Sequence, residues 1–152
     1  MLFNYYLADM AFQKERSAGF LANHMARLFA NGLQQRIRPL GLAPAQFMTL
    51  LALWDEDGLT QRELVQRLSV EQATMANTLI RMERDGLIER RSHPEDGRSQ
   101  SIHLTAKAIA LREPATQAAR SQNEAALVDL SEDERLVFLD LMRRAIASMQ
   151  LG

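Results

Sequence analysis

The residues with the most recognition chemistry to offer lie between Thr60 and Thr105. On a helix beginning near Gln72, a step of about 100° per residue puts Met75, Leu79 and Met82 on one side and Ala73, Thr74, Asn77, Arg81 and Arg84 roughly opposite. The first set can seal a core, and the second is offered to a partner. An Asn carboxamide can pair bidentately with adenine, and an Ala or Thr methyl can touch the methyl of thymine, so this face carries what a major-groove reader needs. Further on, Arg98 follows Pro94-Glu95-Asp96-Gly97, an exposed turn that has no packing use for a guanidinium. The negative potential of a narrow A·T-rich minor groove does favour one. Asp96 would be repelled by phosphate unless neutralised within the protein, and is expected to brace the turn against an arginine such as Arg91.

Other chemistry is poorly provided for. The chain has no cysteine, which removes disulfides, thiolate nucleophiles, thiol redox sensing and cysteine-based zinc sites together. His24, His93 and His103 show no metal-ligand spacing and read as surface or satisfied core histidines. There is no glycine-rich phosphate loop, no nucleophile elbow and no paired-carboxylate spacing. Neither an enzyme, a cofactor nor a metal is expected.

The elements that must position the recognition residues read as helix, turn, helix and hairpin. Thr60-Gln-Arg-Glu63 is a capping box, and Leu64, Val65 and Leu68 then share one helical face. Ser69-Val70-Glu71-Gln72 offers a second box, so a second helix starts almost where the first stops and the two must cross steeply. Gly86 ends that helix as a left-handed cap. Leu87 to Arg91 and Arg98 to Leu104 read as strands, with Ile102 and Leu104 facing inward, and the turn formers of Ser92 to Gly97 close them into a hairpin. The outline is a winged helix-turn-helix.

The rest of the chain frames it. The 152 residues suggest one domain, residues 1–152, and 47% hydrophobic with 24% charged residues is the balance of a soluble globular chain. No segment approaches the roughly 18 apolar residues of a membrane span, and Met1 to Ala8 lacks a basic region and a long apolar stretch, so a cytoplasmic protein is expected. Net charge is −1, and residues 60–105 hold seven arginines against seven acids. A nucleic-acid binder ordinarily shows a basic patch. DNA binding therefore depends on where the arginines point, and a protein-interaction module that binds no DNA stays open. Residues 10–38 form a first long helix, with Phe20, Leu21, Met25, Leu28, Phe29, Leu33 and Ile37 at three- and four-residue steps, stopped by Pro39 and Gly41. Pro44 starts a second, nearly all-apolar and hence buried helix through Trp54. After the hairpin, a helix capped by Thr105 runs to about Val128, with Pro114 as a possible kink. Ser131-Glu-Asp-Glu134 caps the last helix, with Leu136, Leu139 or Phe138, Met142, Ile146 and Met149 as its stripe. The terminal helices have apolar faces and no third layer to cover them, and a homodimer satisfies both.

Gly41-Leu-Ala-Pro44-Ala-Gln-Phe47, Leu64-x-x-x-Leu68, the run from Thr74 through Arg81-Met-Glu83-x-x-Gly86-Leu-Ile-x-Arg90, and Asp96-Gly-Arg98-Ser-x-x-Ile102-x-Leu104-Thr105 resemble the MarR (multiple antibiotic resistance regulator) family of transcription factors. The similarity covers about residues 10–150. It implies a winged helix-turn-helix lobe over 42–105 and dimerisation helices over 10–38 and 106–150. It also implies a pseudo-palindromic double-stranded operator, with the helix from Gln72 to Arg84 in the major groove and Arg98 in the minor groove. In the family the aspartate matching Asp96 commonly fixes the wing by a salt bridge. The expected DNA-binding set is Gln61, Arg62, Ser69, Gln72, Ala73, Thr74, Asn77, Thr78, Arg81, Arg91, Arg98 and Ser99. Many members are repressors that release DNA when a small aromatic or phenolic compound enters the crevice between dimer helices and DNA-binding lobe. His24, Met25, Phe47 and Trp54 are candidates to line it, although aromatic and Met residues at helical spacing also read as core. Asn77, Thr78 and Ile80 stand where the family often has Arg, an aliphatic residue and a polar one, and Ala43 where it often has a Thr or Ser cap, a loss of about 1 kcal/mol.

Overall fold

The structure, a computed structural model, describes residues 11–92 and 95–152. The expected helix start at Met10 and the wing residues His93 and Pro94 lie outside them. In chain order the elements are α1 (Ala18–Ile37), α2 (Pro44–Asp55), β1 (Leu59–Thr60), α3 (Gln61–Leu68), α4 (Gln72–Arg84), β2 (Ile88–Ser92), β3 (Gln100–Leu104), α5 (Ala106–Ala110), α6 (Arg112–Ala126) and α7 (Glu132–Gln150). The architecture is mainly α with a small antiparallel sheet, and β1 adds to the expected hairpin a third strand, in the order β1-β3-β2. Leu59 pairs with Ile102, and Ile88 to Ser92 run against Leu104 to Gln100. Two residues of β1 show no alternation, so no sequence period could announce it.

The apolar pattern packs one core. Phe47, Leu50, Leu53 and Trp54 of α2, Leu64 of α3, Met75, Leu79 and Met82 of α4, and Ile88 and Ile102 of the sheet are all buried. Ile37 closes it from the end of α1, and Ala108 and Ala115 from α5 and α6. Gly58 lets the chain enter β1: its φ is +81°, and a Cβ there would lie 3.1 Å from the His103 ring. Gly86, at φ +72°, is the expected left-handed cap of α4.

Local signals held at some ends and failed at others. Thr60 and Glu63 cap each other's backbone N–H groups at 3.3 and 2.7 Å, as do Ser131 and Glu134 at 3.2 and 2.8 Å. The second box is not formed. Ser69 lies in the left-handed region at φ 51° and ends α3, and α4 begins after Glu71 with no side-chain cap, because a turn this tight takes Ser69 as its corner. The first helix begins at Ala18, capped by Ser17, after a one-turn 3-10 helix over Lys14–Arg16. The helix after the wing does not kink at Pro114 but breaks at Leu111, between α5 and α6. Proline lacks the N–H that would bond back to residue 110, so the defect falls one turn upstream.

One polar knot ties the lobe together. Gln46, reaching back from α2, accepts the Ala43 N–H at 3.0 Å, and so does half the work of the missing cap. Its amide donates to Asp85 Oδ2 at 2.9 Å, and the Arg84 Nε donates to Asp85 Oδ1 at 3.0 Å. Lys107 Nζ donates to the Asp85 carbonyl at 2.7 Å and the Thr105 hydroxyl to the Gly86 carbonyl at 2.6 Å. The start of α2, the end of α4 and the start of α5 thus meet at one turn. Hydrogen bonds from Arg84 and Gln46 hold the Asp85 carboxyl below its ordinary range. A depressed folded value gives stability that is present above the unfolded value, about 3.9, and is lost as pH falls through the folded one. Asp85→Asn should therefore be less stable than wild type in urea unfolding at pH 7, and the difference should narrow on acidification below about pH 4. A difference that does not change with pH would place the stabilisation elsewhere.

Candidate nucleic-acid interface

α4 can bury one face only. With Met75, Leu79 and Met82 sunk in the core, Ala73, Thr74, Asn77, Ile80, Arg81 and Arg84 are all exposed on the other side. Among the described residues, no hydrogen-bond partner holds the Asn77 carboxamide or the Thr74 hydroxyl. Gln61 and Gln72 meet across the α3–α4 turn, Nε2 to Oε1 at 3.4 Å. Thr78, expected on this face, is a correction: it is buried, and its hydroxyl donates to the Thr74 carbonyl at 2.8 Å. One turn from Thr74 and next to Leu79, it falls on the flank that meets α2, where it lines a small cavity of about 130 Å³ with Met48 and Thr49.

The wing is braced differently from expectation. Asp96 Oδ1 accepts the backbone N–H of Arg98 at 2.9 Å, and the Asp96 carbonyl accepts that of Ser99 at 3.1 Å. Arg91 does not reach Asp96, because Glu89, two residues earlier on the same strand face, holds its guanidinium. Asp96 therefore shapes the turn through the backbone and leaves the Arg98 side chain exposed, with no partner among the described residues.

Ion pairing sorts the balanced charge. Arg67 pairs with Glu56, Arg84 with Asp85 at 3.0 Å, Arg90 with Glu83 at 2.9 Å, and Arg91 with Glu89. Among the described residues, Arg62, Arg81 and Arg98 have no ion-pair or hydrogen-bond partner for their guanidinium groups. Arg62 and Arg98 line a polar cleft of about 540 Å³ between α3 and the wing, with Gln61, Ser92 and Ser99. Arg81 lines another, of about 490 Å³, with Arg38 and the start of α2. Unpaired positive charge thus flanks α4 on both sides. Arg38 was not expected there: it reads in sequence as the last residue of an amphipathic helix, and only the bend after α1 turns it toward α4.

An apolar cleft of about 590 Å³ opens between α1, α2 and α6. Phe29 and Leu33 of α1, Phe47, Met48 and Leu51 of α2, and Ala119 of α6 form its walls, with Thr116, Arg120, Gln122 and Asn123 as its polar groups. Of the four expected lining residues only Phe47 is there. Trp54 is buried, with its Nε1–H donated to the Ala108 carbonyl at 3.1 Å and its ring edge-on to Phe47 at 6.1 Å. His24 and Met25 lie a turn too early on α1, where His24 meets Phe20 at 6.3 Å. The missed residues of α1 and α6 carry no local signal, since Phe29 and Leu33 read as core and Ala119 as filler.

Ser101, His103 and Asp57 lie in a row: Ser101 Oγ is hydrogen-bonded to His103 Nε2 at 2.8 Å, and His103 Nδ1 lies 3.4 Å from Asp57 Oδ2. Asp57 Oδ1 also accepts the Leu104 N–H at 2.8 Å. The residue types are those of a hydrolase triad, but the serine is 4% exposed in the middle strand, so no substrate reaches its hydroxyl. The row ties β3 to the loop before β1.

Comparison with known proteins places this geometry. Residues 42–100 match the model of the MarR family. The transcriptional repressor NicR of Pseudomonas putida is 32% identical over 76% of this chain and 73% of its own length. The chain belongs to the MarR family. A mutant of MarR from E. coli, solved in complex with operator DNA, superposes with a TM-score of 0.78 at 25% identity, covering 84% of this chain and 91% of that one. The PcaV regulator of Streptomyces coelicolor, solved with its natural ligand, gives 0.78 at 26% identity over 91% and 98%. The chain is thus a MarR-family transcriptional regulator with the winged helix-turn-helix fold of DNA-binding relatives. Among the described residues, no helix is long and apolar enough to cross a membrane.

Proposed function

We propose that this MarR-family regulator binds a pseudo-palindromic double-stranded operator as a homodimer, represses from it, and is released by a small aromatic or phenolic ligand. The observation that carries DNA binding is the placement of Arg62, Arg81 and Arg98, unpaired among the described residues, around the exposed face of α4. Guanidinium groups that acids do not neutralise are free to take phosphate or enter a minor groove. In this reading Ala73, Thr74 and Asn77 meet base edges, with Gln61, Ser69, Gln72 and Ser99 placed for the sugar-phosphate backbone and Arg98 in the minor groove. The operator-bound MarR relative and the repressor NicR support the same reading.

The homodimer rests on surface that has no partner among the described residues of one chain. α7 has no buried residue, and Leu136, Val137, Leu139, Leu141, Ile146 and Met149 are exposed on it, as are Phe20, Leu21 and Leu28 on α1. A two-fold pair covering these faces would put two α4 helices about one helical turn of DNA apart, roughly 34–36 Å. Arg98→Ala should leave the protein sedimenting as a dimer, yet weaken binding to specific and nonspecific duplexes alike. Unchanged affinity, or a folded monomer at micromolar concentration, would contradict this reading.

The ligand site is the α1–α2–α6 cleft. Its walls suit an aromatic ring, and Arg120, whose Nη1 is already near Glu113 and Gln117, stands among the polar groups that would meet a carboxylate or phenolate. Met48 lines both this cleft and the small cavity beside Thr74 and Thr78. A hydroxybenzoate at micromolar to millimolar concentration should release DNA from wild type but not from Ala119→Phe, which fills the cleft. Equal release from both would move the ligand site elsewhere.

A further inference from the structure

Ile80 is 60% exposed on α4. A single exposed isoleucine is ordinary on a protein surface, and its position is what distinguishes this one. The other large exposed hydrophobic residues lie mainly on α1 and α7, the faces assigned above to a second subunit, and Met48 lines the two apolar cavities. Ile80 neither packs against the core nor lines any of the clefts described. Stepping about 100° per residue along α4, it falls in one row with Ala73, Asn77 and Arg84, diametrically opposite Met75, Leu79 and Met82. Local helix stability does not ask for it either, since a β-branched residue at an exposed helical site is worse than Ala.

Resting on the DNA-binding reading, we infer that Ile80 is a specificity-determining residue that reads the C5-methyl group of a thymine in the major groove. Arg81 and Asn77 flank it with groups for phosphate and polar base edges. An aliphatic side chain among them has one matching feature on a base edge, and that is the thymine methyl. Ile80 lies three residues beyond Asn77, about 4.5 Å along the helix axis, so its thymine falls one or two base pairs from the base that Asn77 reads. Burying the isoleucine against that methyl removes apolar surface from water on both molecules, and the other three bases offer no methyl there.

The test uses a duplex selected by the full-length protein from random sequence, in which each thymine in turn is replaced by uracil. The exchange deletes the methyl and leaves every hydrogen-bonding group in place. At one thymine per half-site the wild type should lose about fourfold in affinity, the scale of one methyl group kept out of water. Ile80→Ala should bind the thymine duplex more weakly and be indifferent to the exchange at that position. Its thermal unfolding should match or exceed that of wild type, which separates lost contact from lost fold. Equal losses in both proteins, or no thymine at which wild type responds, would overturn the inference and leave the DNA-binding reading intact. Failure of the wild type to select any duplex would overturn both.

Discussion

The arrangement of this protein depends on α4 being anchored by one face. Met75, Leu79 and Met82 are 2, 0 and 0% exposed, and a helix whose three large apolar residues are held in a close-packed core has no rotational freedom left. The outward row of Ala73, Asn77, Ile80 and Arg84 is a consequence of that anchoring. Its axial position is set by the knot at Asp85 and Gly86, where Gln46, Thr105 and Lys107 grip the end of the helix. A reader of base edges needs this rigidity, because a side chain displaced by an ångström loses its hydrogen bond.

Electrostatics is organised by neutralisation more than by accumulation. A module with as many acids as arginines has no net field to attract DNA, yet Glu56, Glu83, Asp85 and Glu89 each occupy an arginine. Apart from Asp85, which Gln46 also holds, these surface pairs contribute little to stability. Their effect is to decide which guanidinium groups stay available. Asp96 follows the same logic without an ion pair: by accepting the Arg98 N–H it shapes the turn and leaves the side chain outward.

Much of this was legible in the sequence because periodicity and capping are local. The buried stripe of α4, the Thr60 and Ser131 capping boxes and the Gly86 cap are each written within a few residues, and the MarR resemblance followed from the same stretches. What was illegible depended on distant partners. Thr78 sits on the boundary of the exposed face, and only the approach of α2 buries it. Arg91 could serve DNA or Asp96 until Glu89 is seen to hold it. The apolar cleft takes its walls from α1, α2 and α6, so His24 and Met25, plausible one by one, lie outside it, and Trp54 belongs to the core. β1 is too short to have a pattern, and Ser69 could cap a helix or turn a corner equally well.

The sorting of arginines is tested most directly by the salt dependence of binding to an operator-length duplex. Each phosphate contact contributes a slope of about 0.9 in log affinity against log salt. Arg81→Ala and Arg98→Ala should each flatten the slope by up to about two per dimer, whereas removing the neutral pair Arg90 and Glu83 together should leave it unchanged. Equal flattening in all three, or in none, would contradict the claim that ion pairing selects the arginines that meet DNA.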